Sequence, residues 1–215
     1  MKNPFYYGGV VGKENFCNRK EEINQLKSDI KNGLNVLLYA PRRFGKTSLV
    51  LRTVEELGKK ENLNFVFVDL LGISNIEEFI NEYFNAIVKS FETSIEKTIN
   101  FLKNILNFKP TVKILLDQSG SYKLQIEFTK SQLNQTLEEV LNLPLKYANK
   151  GKKICVIFDE FQEIQTIGVE NKLRTIIQHH SNKISYIFMG SKKSVLTKMF
   201  SDKTKAFYKS VKHFH

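Results

Sequence analysis

The sequence predicts an α/β fold, a mostly parallel sheet covered by helices on both faces. Three features point there. Four short apolar runs, Val36-Leu37-Leu38-Tyr39, Phe65-Val66-Phe67-Val68, Ile154-Cys155-Val156-Ile157-Phe158 and Tyr186-Ile187-Phe188-Met189, are of the kind that forms strands buried on both faces. Stretches of helical periodicity separate them, as crossovers between parallel strands require. The first run also leads directly into Ala40-Pro41-Arg42-Arg43-Phe44-Gly45-Lys46-Thr47-Ser48, a loop that opens a helix. No repeat or low-complexity linker divides the 215 residues, and they suffice for one domain over 1–215 whose core needs no disulfide or metal staple.

Taken in order, Asn18 is a good N-cap with Glu21 in capping-box position, and Ile23, Leu26 and Ile30 share one helical face until Gly33 closes the helix. This N-terminal segment, 1–34, precedes the first strand. The helix opened at Gly45 is expected to end near Gly58, ahead of the second strand. From Ile76 to about Leu106 the pattern is helical. Phe79, Ile80, Tyr83, Phe84, Ile87 and Val88 form one stripe, read as core packing, and Ile95, Ile99, Leu102 and Ile105 form another. Thr93 with Glu96 suits a second cap, so two helices are expected, ended by Pro110. Val112 to Leu116 and Tyr122 to Phe128 flank Asp117-Gln118-Ser119-Gly120-Ser121, and the alternation of Leu124, Ile126 and Phe128 predicts an inserted β-hairpin over about 111–129. A helix through Leu133, Leu137, Val140 and Leu141, kinked at Pro144, reaches the third core strand. A helix around Leu173 to His180 leads to the fourth, and a last helix runs from about Lys192 to Phe200.

Composition excludes several classes. With 41% hydrophobic and 26% charged residues, the chain is neither wholly disordered nor collagen-like, and two cysteines make no disulfide scaffold. No run approaches the roughly 18 apolar residues of a membrane span. Met1-Lys2-Asn3-Pro4-Phe5 lacks the apolar core of a signal peptide, so the chain reads as cytoplasmic with no membrane partner. Cys17 and Cys155 stand far apart without metal-ligand spacing, which suits reduced thiols. The 33 basic against 22 acidic residues leave a net charge of +11, which permits attraction to nucleic acid, anionic lipid or nucleotide phosphates. The lysines run along the whole chain, so dispersed surface charge and a polyanion-binding face both stay open.

A strand, a loop and then Gly45-Lys46-Thr47 at a helix start make the context of a phosphate-binding loop. Unpaired N–H groups of the loop and first turn suit phosphate oxygens, and the helix dipole adds favourable potential. Gly45 allows close backbone approach, Lys46 supplies a cation for the β- and γ-phosphates, and the Thr47 hydroxyl suits Mg²⁺, with Ser48 as its neighbour. Ala40 stands where the eight-residue pattern has its first glycine. At the end of the third core strand stand Asp159 and Glu160, at the sheet edge where parallel α/β sheets bind ligands. An aspartate there can hold magnesium through its water shell, and the adjacent glutamate can orient or deprotonate the attacking water. Ser191, after the fourth strand, suits a contact with the γ-phosphate or the attacking water, N-capping of the next helix, or both, since the two roles are compatible. Arg42 and Arg43 face phosphate, a partner or solvent.

With these residues together, the chain resembles the archaeal-type ATPase family, among the signal-transduction ATPases related to the AAA+ group. The resemblance is carried by Phe-x-x-Arg-x-x-Glu-Ile from Phe16 to Ile23 with Arg19 and Glu22, by Ala40 through Ser48, by Phe158-Asp159-Glu160-Phe161-Gln162-Glu163, and by Met189-Gly190-Ser191. It implies a P-loop NTPase three-layer sandwich with core strands in the order 5-1-4-3-2, ATP and Mg²⁺ as cofactors, and the segment from Asn15 to Arg19 near the adenine. It also implies magnesium on the aspartate, water activation by the glutamate, and a conformational change coupled to nucleotide state. Such ATPases often carry a C-terminal helical lid and a winged helix. Here Ala206-Phe207-Tyr208 resembles the stretch before the fifth strand and the sequence stops at His215. The fifth strand is therefore expected to be absent or marginal, with the phosphate-loop strand left as an exposed edge.

The expected function is an ATPase switch. The alternatives are a non-hydrolysing nucleotide- or DNA-binding module and a small-molecule kinase, which the arginine-poor sequence after Gly120 disfavours. Adenine is expected from the resemblance and from the lack of an Asn-Lys-x-Asp guanine-reading motif. A protein partner or homo-oligomer stays open, with Arg174 as a candidate arginine finger towards a neighbour. His179 and His180 adjoin each other and make a poor metal pair.

Overall fold

The structure is a computed structural model that describes residues 19–90, 111–116, 122–149, 151 and 153–214. Helix α1 (Lys20–Lys31) buries Ile23, Leu26 and Ile30, as expected. Its start differs. Arg19 is the N-cap, without a side-chain capping bond, Glu21 is exposed, and Asn18 lies outside the described residues. Glu22 takes the Arg19 guanidinium on both carboxylate oxygens, at 2.6 and 2.8 Å, a bidentate charge-assisted pair in the first turn.

Strand β1 (Val36–Tyr39) leads through the loop into α2 (Lys46–Glu61). That helix passes the expected stop at Gly58 and ends where Asn62 turns left-handed, its N–H bonded to the Gly58 carbonyl. Strand β2 (Leu63–Asp69) and α3 (Ile76–Ser90) follow. The second helix expected before Pro110 and the loop 117–121 lie outside the described residues. The inserted hairpin is present as β3 (Thr111–Leu116) and β4 (Tyr122–Glu127), paired antiparallel from Thr111↔Glu127 to Leu116↔Tyr122. Two asparagines of α3 hold it. Asn85 bonds the Leu124 N–H and carbonyl, and Asn81 accepts the Ile126 N–H, so helix side chains stand in for a third strand.

In place of one kinked helix there are two, α4 (Leu133–Leu141) and α5 (Leu143–Ala148). Pro144 sits in the first turn of α5, where its missing N–H costs nothing. After β5 (Lys153–Asp159) come a 3₁₀ turn (Phe161–Glu163), α6 (Ile164–Ile167) and α7 (Glu170–His179). Strand β6 (Ile184–Gly190), α8 (Lys193–Ser201) and β7 (Lys212–Phe214) complete the order.

The five core strands are all parallel in the order β2-β5-β6-β1-β7, which is the expected 5-1-4-3-2 once the hairpin is set aside. One expectation is corrected. The edge of β1 is covered, since Val36, Leu37 and Leu38 pair with Lys212, His213 and Phe214. Asn35 secures this: its carbonyl accepts the Lys212 N–H at 2.8 Å, while its side chain takes the Tyr186 N–H and donates to Ser210.

Strand side chains alternate between two cores. Leu37, Val66, Phe158, Tyr186 and Phe188 face α3, the hairpin and α4 to α8. Val36, Leu38, Ile157, Ile187 and Met189 face α1 and α2. Phe79, Tyr83 and Phe84 are fully buried, as their spacing predicted, and Tyr83 stacks on Phe158. Cys155 is a buried free thiol. No helix among the described residues is long and apolar enough to cross a membrane.

Candidate active site

Strands β1, β2, β5 and β6 end at one edge, where the registers Tyr39↔Gly190 and Asp69↔Asp159 align their last residues. The loop after β1 is bent by two left-handed residues, Arg43 at φ 68° and Gly45 at φ 69°. Glycine takes that conformation freely, whereas arginine is strained in it. Among the described residues a side-chain carbon added at Gly45 would meet only Arg19 Nη1, at 3.5 Å, so there the backbone angle is what demands glycine. Gly45 is the N-cap of α2 and offers no side-chain acceptor, so the N–H groups of Lys46, Thr47 and Ser48 open the helix as donors. Lys46 Nζ crosses the loop to the carbonyls of Ala40 (2.7 Å) and Pro41 (3.1 Å). Burial lowers the Lys46 ammonium from its usual range, against the opposing pull of Asp159 and Glu160. Arg42, Arg43 and Phe44 are exposed around it, and Ser48 is buried in the first turn.

The acidic pair meets this loop directly. Thr47 Oγ1 donates to Asp159 Oδ2 at 2.8 Å, across 112 residues of sequence. Burial raises the Asp159 carboxyl above the ordinary carboxylate range, and the charges of Asp69 and Glu160 add to this against hydrogen bonds from Thr47 and the Glu160 N–H. Glu160 is left-handed at φ 47°, which turns its side chain back over the sheet edge towards Ser191 and Arg42. Its Oε2 accepts from Gln162 Nε2 and, at 2.8 Å, from Ser191 Oγ, while Arg42 Nε lies 3.9 Å from Oε1. Burial alone would raise Glu160, but those two hydrogen bonds and the charges of Arg42 and Lys46 outweigh it and hold the carboxyl below its ordinary range. Ser191 therefore contacts Glu160, and the capping role is not realised, because α8 is N-capped by Lys192.

Arg19 also reaches the loop, with Nη1 3.3 Å from the Phe44 carbonyl and 3.5 Å from that of Gly45. The structure thus brings Arg19, Ala40 to Ser48, Asp159, Glu160 and Ser191 together, and leaves Arg174 apart, its Nε on the Ala206 carbonyl. His180 is buried between Tyr186 and Asn142. Sequence reasoning missed Asp69, which lies beside Asp159, and Gln162, which grips Glu160. Gln162 is buried with Oε1 unpartnered, against Gly190. Its place in the Asp-Glu-Phe-Gln run was the one available signal.

The site and sheet order define a P-loop nucleotide-binding domain of the ATPase type. The model of an ATPase domain found predominantly in Archaea matches residues 16–213, and the chain belongs to that family. Two uncharacterized ATP-binding proteins of Methanocaldococcus jannaschii are similar to it. One is 31% identical over 156 residues (71% of this chain, 39% of the relative) and the other 27% identical over 191 residues (86% and 48%). The chain therefore spans less than half the length of these relatives. Among solved structures, the Walker-type ATPase of Pyrococcus abyssi superimposes with a TM-score of 0.58 at 17% identity, over 99% of this chain and 57% of that one. The Aeropyrum pernix ORC2 protein does so with 0.55 at 15%, over 91% and 46%. At such identities the likeness is one of fold.

Proposed function

We propose that this domain binds ATP with Mg²⁺, hydrolyses it, and uses nucleotide state as a conformational switch. The observation that supports this most is the 2.8 Å contact between Thr47 and Asp159, which places two hard oxygen donors from distant segments side by side at the phosphate loop. Oxygen donors of this kind suit Mg²⁺, so Thr47 directly and Asp159, directly or through water, are the residues that would hold it. Bound there, the ion would neutralise charge on the β- and γ-phosphates. The loop N–H groups bind the phosphates, and Lys46 exchanges its loop carbonyls for phosphate oxygens. Glu160, ionised at neutral pH, orients the water and accepts its proton as the water oxygen bonds to the γ-phosphorus and the β–γ bridging oxygen leaves. Ser191 and Gln162 position Glu160. Arg19, tied to the loop carbonyls, joins the 1–34 segment to the nucleotide, and residues 1–215 act as one ATPase core.

Titration calorimetry of MgATP tests this. The parent is expected to bind in the micromolar range, roughly −8 kcal/mol. Lys46→Ala should abolish binding and Glu160→Gln should retain it while abolishing turnover. Binding without phosphate release by the parent would instead leave a nucleotide-binding module that does not hydrolyse.

A further inference from the structure

The net charge is concentrated. Between residues 192 and 212 seven lysines stand against one acidic residue, Asp202, so this stretch holds six of the eleven net positive charges of the chain. In the structure it forms α8, the following turn and β7, which wrap the β1 edge of the sheet. Among the described residues, Lys192 and Lys212 are engaged in ion pairs, with Glu163 and Asp29. The Asp202 carboxylate, near Lys198 and Lys205, is already bonded by the Thr204 N–H (2.9 Å) and hydroxyl (2.8 Å).

These lysines sit on a fixed scaffold. Phe200 and Phe207 are buried and in ring contact at 5.4 Å, and the turn between them is closed by Lys205 N–H to Asp202, Tyr208 N–H to Lys205 and Lys209 N–H to Phe200. Lys209 is left-handed at φ 50°, with its ammonium 5.4 Å over the Tyr208 ring. Arg174 of α7 adds a further cation through its bond to the Ala206 carbonyl. Display on an ordered backbone lowers the entropy lost when such side chains meet a partner.

The form of the surface selects the partner. Cations strung along a helix, a turn and an edge strand suit a chain of repeated negative charges better than one small anion. A bilayer surface would call for exposed apolar side chains among the cations, but Leu196, Met199, Phe200 and Phe207 are all buried. We propose that the α8–β7 edge is a docking surface for the phosphodiester backbone of nucleic acid, contacting phosphates rather than bases. Lys193, 5.1 Å over the ring of Tyr39 at the end of β1, brings this surface up to the phosphate loop.

Fluorescence anisotropy with labelled duplex DNA, single-stranded DNA and duplex RNA tests the surface over a salt series. Lys198→Glu/Lys203→Glu/Lys205→Glu is compared with Lys60→Glu/Lys130→Glu/Lys183→Glu, which changes net charge equally elsewhere. Lys198→Gln/Lys203→Gln/Lys205→Gln guards against misfolding by charge reversal. The parent is expected to bind at low salt. The first triple should weaken binding about tenfold more than the second, and the slope of log affinity against log salt should flatten by about 2 to 3. The most affected of the three nucleic acids identifies the natural ligand type. Equal losses from both reversals, no binding by the parent, or binding to phosphatidylserine vesicles in place of nucleic acid would each overturn the proposal. None of these readings depends on ATP turnover.

Discussion

A methyl group at position 190 would stand 2.2 Å from Oε1 of Gln162 and 2.8 Å from Cδ1 of Leu196, closer than atoms can approach. Gly190→Ala must therefore push Gln162 aside, and with it one of the two hydrogen bonds that hold Glu160. It is expected to cost about 1–3 kcal/mol of stability, to raise the Glu160 carboxyl towards its ordinary range, and to lower turnover while MgATP affinity changes little. Thermal melts, calorimetry and a phosphate-release assay on one sample check all three, and turnover equal to the parent's would remove the positioning role of Gln162. Lys46, Thr47, Asp159 and Glu160 were legible in the sequence because each pair is contiguous, one opening the helix after the loop that follows β1 and the other at the end of β5. Asp69 was not, because its place beside Asp159 depends on β2 pairing with β5, and Gln162 was not, because its burial against Gly190 depends on β6 lying beside β5. No local pattern encodes which residue of one strand faces which of another.

At the scale of elements, β7 shows how a strand of three residues escapes periodicity arguments yet closes a sheet. Its support comes from outside itself, from Asn35 and from Lys212, whose ammonium bonds both oxygens of the buried Asp29 carboxylate at 2.7 and 2.9 Å. Lys212→Pro removes the N–H that meets Asn35 and strands the Asp29 charge. The expected loss is roughly 3 kcal/mol, with concentration-dependent self-association along the freed edge of β1. Lys212→Ala, which keeps the backbone bond, should lose less and keep the parent's state of association. Light scattering and thermal unfolding separate the two, and a proline variant with the parent's association and stability would show that β7 does not guard the edge. The split of α4 from α5 was beyond the sequence for a related reason. Asn142 ends α4, and its side chain also serves His180 from another part of the chain.

For the whole molecule, the two-sided core was readable from the apolar runs, but the polar network inside it was not. Asn142 Nδ2 donates to the Glu138 carbonyl, which turns Oδ1 towards His180 Nε2 at 2.9 Å and places the proton on that nitrogen. His180 Nδ1 then accepts from the Tyr186 hydroxyl at 2.6 Å, so the ring is held neutral. Burial pushes its pKa down from 6.5 to about 4, with the charge of His179 adding to the effect. The unfolded chain therefore takes up this proton first as pH falls. The stabilisation is complete above pH 6.5 and is lost progressively down to about 4, on the order of 3 kcal/mol across the window. Urea unfolding over that range should show the loss, and His180→Gln should be less stable at neutral pH but flatter below it. A parental slope in that variant would assign the acid sensitivity to other groups.

The left-handed backbones of Arg43 and Glu160 have a consequence for how this domain can change over time. Each holds a residue in a conformation that glycine would adopt without strain, at a cost of about 1 kcal/mol. Selection for heat resistance alone favours glycine at both positions, whereas selection for ATP handling keeps the guanidinium and the carboxylate. Adaptation to higher temperature in this lineage is thus channelled away from the phosphate edge, into the cores and the far ends of the strands.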